Sequence, residues 1–152
     1  MSYLFQIVET EAQPVLSVKT TTPVSNLPNV VGKVYGSVVN YIVEKGEEPL
    51  GPAFIAYYNM DMENLIVEIG FPVTKEIEGK DDIVLRYIPA GKKATGFHKG
   101  PYGEIGPVYE KLAIFMSNKG YEPTGVAYEY YYNSPNEVAE SELLTKVEFL
   151  LK

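Results

Sequence analysis

The feature that most constrains the fold of this chain is an internal duplication. Residues 46–59 read GEEPLGPAFIAYYN and residues 120–133 read GYEPTGVAYEYYYN, so eight of fourteen positions are identical at a constant offset of 74. The same offset relates three upstream pairs, which are Gly32/Gly106, Tyr35/Tyr109 and Lys19/Lys93. The chain therefore consists of two copies of one supersecondary unit.

Each copy is predicted to fold as β-α-β-β. Apolar residues recur at helical spacing before Gly46 in the first copy and before Gly120 in the second, and glycine is a common residue at a helix end. Runs rich in β-branched and aromatic residues predict the strands. Their predicted ranges are 14–21, 52–58 and 65–73 in the first copy, and 83–88, 91–97, 125–132 and 143–151 in the second.

These elements predict an α+β fold. We expect antiparallel sheets with one main helix on each, related by a pseudo-two-fold axis, and a central groove between the halves as the natural ligand site. Residues 1–152 are predicted to form one domain with internal repeats at about 5–73 and 83–152. The charged segment 74–82 is interpreted as the linker between the repeats.

Composition and charge exclude several classes of function. The net charge of −7 argues against direct binding to nucleic acid, which favours a basic surface. With no cysteine and a single histidine, His98, neither a metal site nor a Ser-His-Asp triad is predicted, and no cofactor is implied. No run approaches the ~20 apolar residues of a membrane span and no signal peptide is recognisable, so we expect a cytoplasmic protein without a membrane partner.

The second copy carries an acid where the first copy is apolar. Glu129 stands in the position of Ile55 and lies among tyrosines. If 125–132 is a strand, Glu129 shares one face with Ala127 and Tyr131, because side chains alternate along a strand. An unpaired buried carboxylate is costly, which indicates a functional site. The alternative is an edge strand with Glu129 in water.

Such a carboxylate suits two kinds of chemistry. Aromatic faces attract cations, and a carboxylate in a low dielectric adds a stronger attraction, so the pair suits a lipophilic cation or amine. A buried carboxylate also has a raised pKa, which suits a general acid or base. The residues themselves do not separate these two uses.

Several short motifs of the second copy resemble the GyrI-like small-molecule-binding family, which also supplies the effector-binding domain of AraC-type and some MerR-type regulators. The motifs are HKGPY at 98–102, GY at 120–121, EYY at 129–131, NSP at 133–135 and ELLT at 142–145. The resemblance implies a tandem β-α-β-β fold. The chain departs from the family's regulators in one respect, because both predicted helices belong to the repeats and none is left for an attached helix-turn-helix domain. We therefore expect a stand-alone member.

The resemblance also implies a site. The acid with which family members sense hydrophobic cations falls on Glu129, and a second ligand-facing position falls on Tyr131. Pocket aromatics on the helices fall near Tyr109 and its counterpart Tyr35. Phe115 stands where the family often has tryptophan. The expected ligand-binding residues are Glu129, Tyr131, Tyr57, Tyr109, Tyr35, Ile105 and Phe115.

The leading hypothesis is therefore a binding protein for small, apolar and cationic molecules that acts in sensing or sequestration. The alternative is a hydrolase of small reactive molecules that uses Glu129 as general acid or base. A third hypothesis, a protein-binding module that inhibits a partner such as a topoisomerase, comes only from the family name.

Overall fold

The computed structural model describes residues 5–152 and divides them into two compact units. The first unit comprises Ala12–Pro89, and the second comprises residues 5–11 together with Ala90–Lys152. In chain order the main elements are β1 (Gln6–Thr10), β2 (Gln13–Thr22), α1 (Leu27–Glu44), β3 (Ala53–Tyr57), β4 (Leu65–Pro72), β5 (Val84–Ile88), β6 (Gly91–Lys99), α2 (Gly106–Asn118), β7 (Pro123–Tyr131) and β8 (Leu144–Leu151). The prediction of a single domain extends to residues 1–4, which lie outside the described residues.

The two units have the same strand order, which confirms the predicted β-α-β-β duplication. In the first unit the strands lie in the order β5-β2-β4-β3, and in the second in the order β1-β6-β8-β7, with every neighbouring pair antiparallel. Both helices end as predicted, because Gly46 and Gly120 follow them with φ of +76° and +79°. Glycine adopts this left-handed conformation without the steric cost of a Cβ atom.

Each compact unit contains one strand that comes from the other sequence repeat. β1, which opens the chain, pairs with β6 of the second unit, and β5, which follows segment 74–82, pairs with β2 of the first unit. Segment 74–82 therefore lies inside the first unit rather than between the units. Sequence periodicity alone does not show this exchange, because it locates strands but not their partners.

One pair of the duplication is corrected by the sheet register. Lys19 lies opposite Glu68 on β4, whereas Lys93 lies opposite Leu150 on β8. Counted along the paired strands, the counterpart of Lys19 is Phe97. The identity of Lys19 and Lys93 at offset 74 is therefore not a structural equivalence, since the connection from strand to helix is shorter in the second copy.

The core of the second unit lies between α2 and one face of its sheet. Val108, Leu112 and Met116 of α2 pack against Ala94 and Val147 of the sheet, and all five side chains are almost completely buried. This confirms the apolar stripe predicted for the second helix. Glu129 lies on this same sheet face beneath α2, because it is paired with Val147.

A membrane span requires a helix of sufficient length and hydropathy. Over residues 5–152, no helix is both long and apolar enough to cross a membrane.

Candidate functional site

β7 directs Glu129 towards α2. Glu129 lies opposite Val147, a residue of the core beneath the helix, while Tyr128 and Tyr130 on either side of it are buried against the opposite face. The predicted alternation along this strand is therefore confirmed. The Glu129 side chain is half-buried, which contradicts the alternative of an edge-strand acid standing in water.

Two tyrosines hold the carboxylate. The Tyr131 hydroxyl, two residues along the same strand face, donates to Glu129 Oε1 at 2.7 Å. The Tyr109 hydroxyl reaches down from α2 and donates to Glu129 Oε2. Each carboxylate oxygen therefore receives one phenol hydrogen, and the carboxylate is fixed between the helix and the sheet.

Among residues 5–152, neither lysine nor arginine forms an ion pair with Glu129. Burial raises the pKa of the Glu129 carboxyl above its ordinary value, and the hydrogen bonds from Tyr109 and Tyr131 and the charge of His98 oppose that rise without cancelling it. The site is therefore a negative group in a partly desolvated and aromatic environment.

The HKGPY segment contributes two further neighbours that the sequence analysis did not assign to the site. His98 Nε2 donates to the carbonyl oxygen of Pro101 at 2.8 Å, which holds the turn after β6 in place. The Tyr102 ring stands edge-on to the Tyr131 ring with centroids 5.7 Å apart, and burial followed by the charge of Glu129 raises the pKa of Tyr102. The HKGPY motif is the sequence signal that could have identified these two residues as neighbours of Glu129. It supported the family resemblance above but was not used to predict the site.

A third neighbour, Thr145, is also new. It lies on β8 directly between His98 of β6 and Tyr131 of β7. Its side chain is completely buried, and its hydroxyl has no hydrogen-bond partner within the described part of the chain. A buried hydroxyl without a partner costs free energy, so this position needs an explanation.

The structure brings together only part of the predicted site. Tyr131 and Tyr109 bind Glu129, whereas Ile105 precedes α2 and packs into the core of the second unit. Phe115, near the other end of α2, packs on Phe5 with ring centroids 5.6 Å apart. It lines a separate open cavity of about 720 Å³, together with Phe5, Gln6, Ile7, Lys119 and Tyr121.

The remaining two predicted residues belong to the first unit. Tyr35 lies on α1 with its ring edge against Phe71, at a centroid distance of 5.4 Å, and Tyr57 is the last residue of β3. Their role in binding stays a prediction.

The donor set does not suggest a metal centre. Within residues 5–152, no three or more histidine, cysteine, aspartate or glutamate side chains lie together as a metal ion would require. The chemistry available around Glu129 is that of one carboxyl group, phenol hydroxyls, an imidazole and a threonine hydroxyl.

Several solved structures share this fold. The C-terminal domain of EcmrR gives a TM-score of 0.80 at 22% identity, covering 100% of this chain and 99% of that one. In the EcmrR–DNA complex, with the same TM-score and identity, this chain spans 58% of the EcmrR chain. A hydrolase from Listeria innocua gives 0.74 at 11% identity, covering 99% of this chain and 93% of that one. The structure of SAV2435 bound to tetraphenylphosphonium gives 0.68 at 9% identity, covering 97% and 93%.

At these identities the likeness to solved structures shows the fold alone. No curated protein shows significant sequence similarity to this chain. The family assignment rests on a sequence profile instead. The profile of the GyrI-like small molecule binding domain matches residues 5–152, and the chain therefore belongs to the GyrI-like small-molecule-binding family.

Proposed function

We propose that this protein binds small apolar cations at Glu129, and that its role is to sense or sequester them in the cytoplasm. The observation that carries the proposal is a half-buried carboxylate that accepts hydrogen bonds from Tyr109 and Tyr131 and has no lysine or arginine counter-charge in residues 5–152. A bound cation would supply the missing positive charge.

The physical preference for a cation has two sources. The Coulomb attraction between a cation and a carboxylate grows as the local dielectric falls, so a partly desolvated acid attracts a cation more strongly than a surface acid does. The rings of Tyr102 and Tyr131, which meet edge to face, add aromatic surface that favours both apolar groups and positive charge. A neutral ligand of the same shape gains only the apolar part.

Two solved structures with this fold support a cation-binding role. A structure with this fold was solved bound to tetraphenylphosphonium, which is a large apolar cation. EcmrR with the same fold was solved in a complex with DNA, which favours sensing over sequestration if this chain acts together with a regulator.

The proposal is tested by comparing a cation with a neutral ligand of similar shape. Tyrosine fluorescence and thermal shift would be recorded with tetraphenylphosphonium and with triphenylphosphine oxide, using wild type and the Glu129→Gln and Glu68→Gln variants. We expect the cation to bind wild type and Glu68→Gln, and to bind Glu129→Gln about tenfold or more weakly, as for loss of a charge-assisted contact. Equal affinity of wild type for the cation and the neutral ligand would contradict the proposal.

Glu68 is the matched control because its local chemistry is similar. It is buried on β4 of the first unit and accepts hydrogen bonds from the hydroxyls of Ser17, at 2.7 Å, and Tyr58, at 2.6 Å. Lys19 Nζ lies 4.0 Å from the centroid of the Tyr58 ring, so this acid has positive charge nearby. Its replacement tests whether removal of any buried acid weakens cation binding.

A second function, hydrolysis of small reactive molecules, is favoured by the raised pKa of Glu129. A carboxyl group with a raised pKa keeps its proton to a higher pH than an ordinary glutamate does, which suits a general acid or base. Tyr109 and Tyr131 fix its orientation. Turnover of an epoxide or ester that is lost in Glu129→Gln and retained in Glu68→Gln would establish this function, whereas equal turnover in both variants would exclude it.

A further inference from the structure

The hydrogen-bonding groups around Glu129 mostly accept rather than donate. Tyr109 and Tyr131 have given their only hydroxyl hydrogens to the carboxylate, so any further bond to their oxygens must be donated by another group. The carboxylate itself only accepts. His98 uses its Nε2–H in a bond to the Pro101 carbonyl oxygen, so that hydrogen is not available to a ligand.

Thr145 adds an acceptor at a defined distance. Glu129 lies opposite Val147, so Thr145, two residues from Val147 on the same face, is the diagonal neighbour of Glu129 across the strands. The backbones of such diagonal neighbours lie about 7–8 Å apart and their Cβ atoms somewhat closer, and both side chains extend into the space between them. A nitrogen that donates two hydrogen bonds of about 2.9 Å spans most of the distance. One N–H group on each side would therefore pair both the carboxylate and the threonine hydroxyl.

We propose that the cationic group recognised here is a protonated amine with N–H hydrogens, which donates to Glu129 and to the Thr145 hydroxyl. A quaternary ammonium or phosphonium group carries the same charge but offers no hydrogen to either acceptor, so the Thr145 hydroxyl stays without a partner. This inference rests on the proposed cation-binding function and adds the chemical class of the cation.

The burial of Thr145 sets a condition on access. Because its hydroxyl is completely buried, an amine reaches it only after a side chain in front of it moves. Tyr102 is an exposed aromatic residue whose ring contacts Tyr131, the neighbour of Thr145 across the strands, and this contact is worth about one hydrogen bond or less. We infer that Tyr102 is the side chain that moves to open the site.

The test compares two cations of equal charge, one with two N–H hydrogens and one with none. N-methylbenzylammonium and benzyltrimethylammonium share the benzyl group and the single positive charge at neutral pH, and only the first can donate to both acceptors. Their dissociation constants would be measured by calorimetry for wild type, Thr145→Val, Thr145→Ser and Thr22→Val. Thr22 is a matched control, because it is buried in the first unit and its hydroxyl donates to the Pro23 carbonyl oxygen at 3.1 Å.

We expect wild type to bind the N–H cation about tenfold more tightly than the quaternary cation. Thr145→Val should weaken binding of the N–H cation alone, whereas Thr145→Ser and Thr22→Val should keep the preference. Equal affinity of wild type for the two cations, or an equal loss of both in Thr145→Val, would overturn the inference while leaving cation binding intact. Failure of wild type to bind either cation would overturn the proposed function and the inference together.

Discussion

Replacement of Glu129 by glutamine should make the protein at least as stable as wild type near neutral pH. Glutamine keeps the shape of the side chain and can both donate and accept, so Tyr109 and Tyr131 keep hydrogen-bond partners. The substitution also removes a negative charge that is partly desolvated. Because a desolvated charge lowers the stability of the folded protein, its removal should not destabilise the fold.

The magnitude follows from opposing contributions. Hydrogen bonds to a charged acceptor are worth about 1.5–3 kcal/mol each, so the two phenols favour the ionised form. The pKa of Glu129 is nevertheless raised, so burial outweighs them. Each unit of net rise corresponds to about 1.4 kcal/mol that glutamine recovers at neutral pH. For a chain of this length, each recovered kcal/mol raises Tm by roughly 2–4 °C.

The sign of the pH dependence is fixed by the same shift. The folded protein holds the Glu129 proton more tightly than the unfolded chain, so wild type loses stability as pH rises from about 4.3 through the raised folded value. Glu129→Gln lacks this loss. The two proteins should therefore be similar in stability at acid pH and should diverge towards neutral pH, with the variant above wild type.

The assay is chemical denaturation of wild type, Glu129→Gln and Glu68→Gln from pH 4 to pH 8. We expect Glu68→Gln to be less stable than wild type by about 1–3 kcal/mol, because Glu68 accepts two hydrogen bonds and has Lys19 close to one donor ring. A Glu129→Gln variant that is destabilised at neutral pH and equal to wild type in cation binding would refute the reasoning, since Glu129 would then be a structural residue.

Three further predictions concern stability. Tyr131→Phe removes one donor to the central carboxylate and should cost about 1.5–3 kcal/mol at neutral pH and less at acid pH, as measured by urea denaturation. Gly120→Ala should cost about 1–2 kcal/mol in the same urea denaturation, because φ at this position is +79°. Gly36 lies on the exposed side of α1 with no atom near an added Cβ, so Gly36→Ala should instead stabilise the protein by about 0.5–1 kcal/mol. Thr145→Val should raise stability by about 1 kcal/mol by removing a buried hydroxyl without a partner, whereas Thr22→Val should lower it.

Much of the fold could be predicted because the duplication repeats local signals. The helix ends at Gly46 and Gly120 and the alternation around Glu129 depend on residues close together in sequence. The exchange of β1 and β5 could not be predicted, because strand pairing is a long-range property that neither strand encodes locally.

Some of the side chains around Glu129 could be predicted from the sequence, and others could not. Glu129 and Tyr131 lie two residues apart on one strand, and the choice of Tyr109 came from the family resemblance alone. Thr145 was missed because it meets Tyr131 only through the register of β7 and β8, and a threonine in a strand is unremarkable in sequence. Phe115 lies on α2 as predicted, but it packs on Phe5 and lines an open cavity whose lining does not include Glu129.

The most direct test of the central claim is the pKa of the Glu129 carboxyl, measured by NMR of protein labelled with ¹³C at the glutamate carboxyl carbons. The Glu129→Gln spectrum assigns the resonance. We expect a pKa above the ordinary glutamate value in the free protein, because burial disfavours the charge, and a clear fall when tetraphenylphosphonium is bound, because a nearby cation favours it. An ordinary pKa that does not change on addition of the cation would contradict the claim that Glu129 is an unneutralised acid that receives a positive ligand.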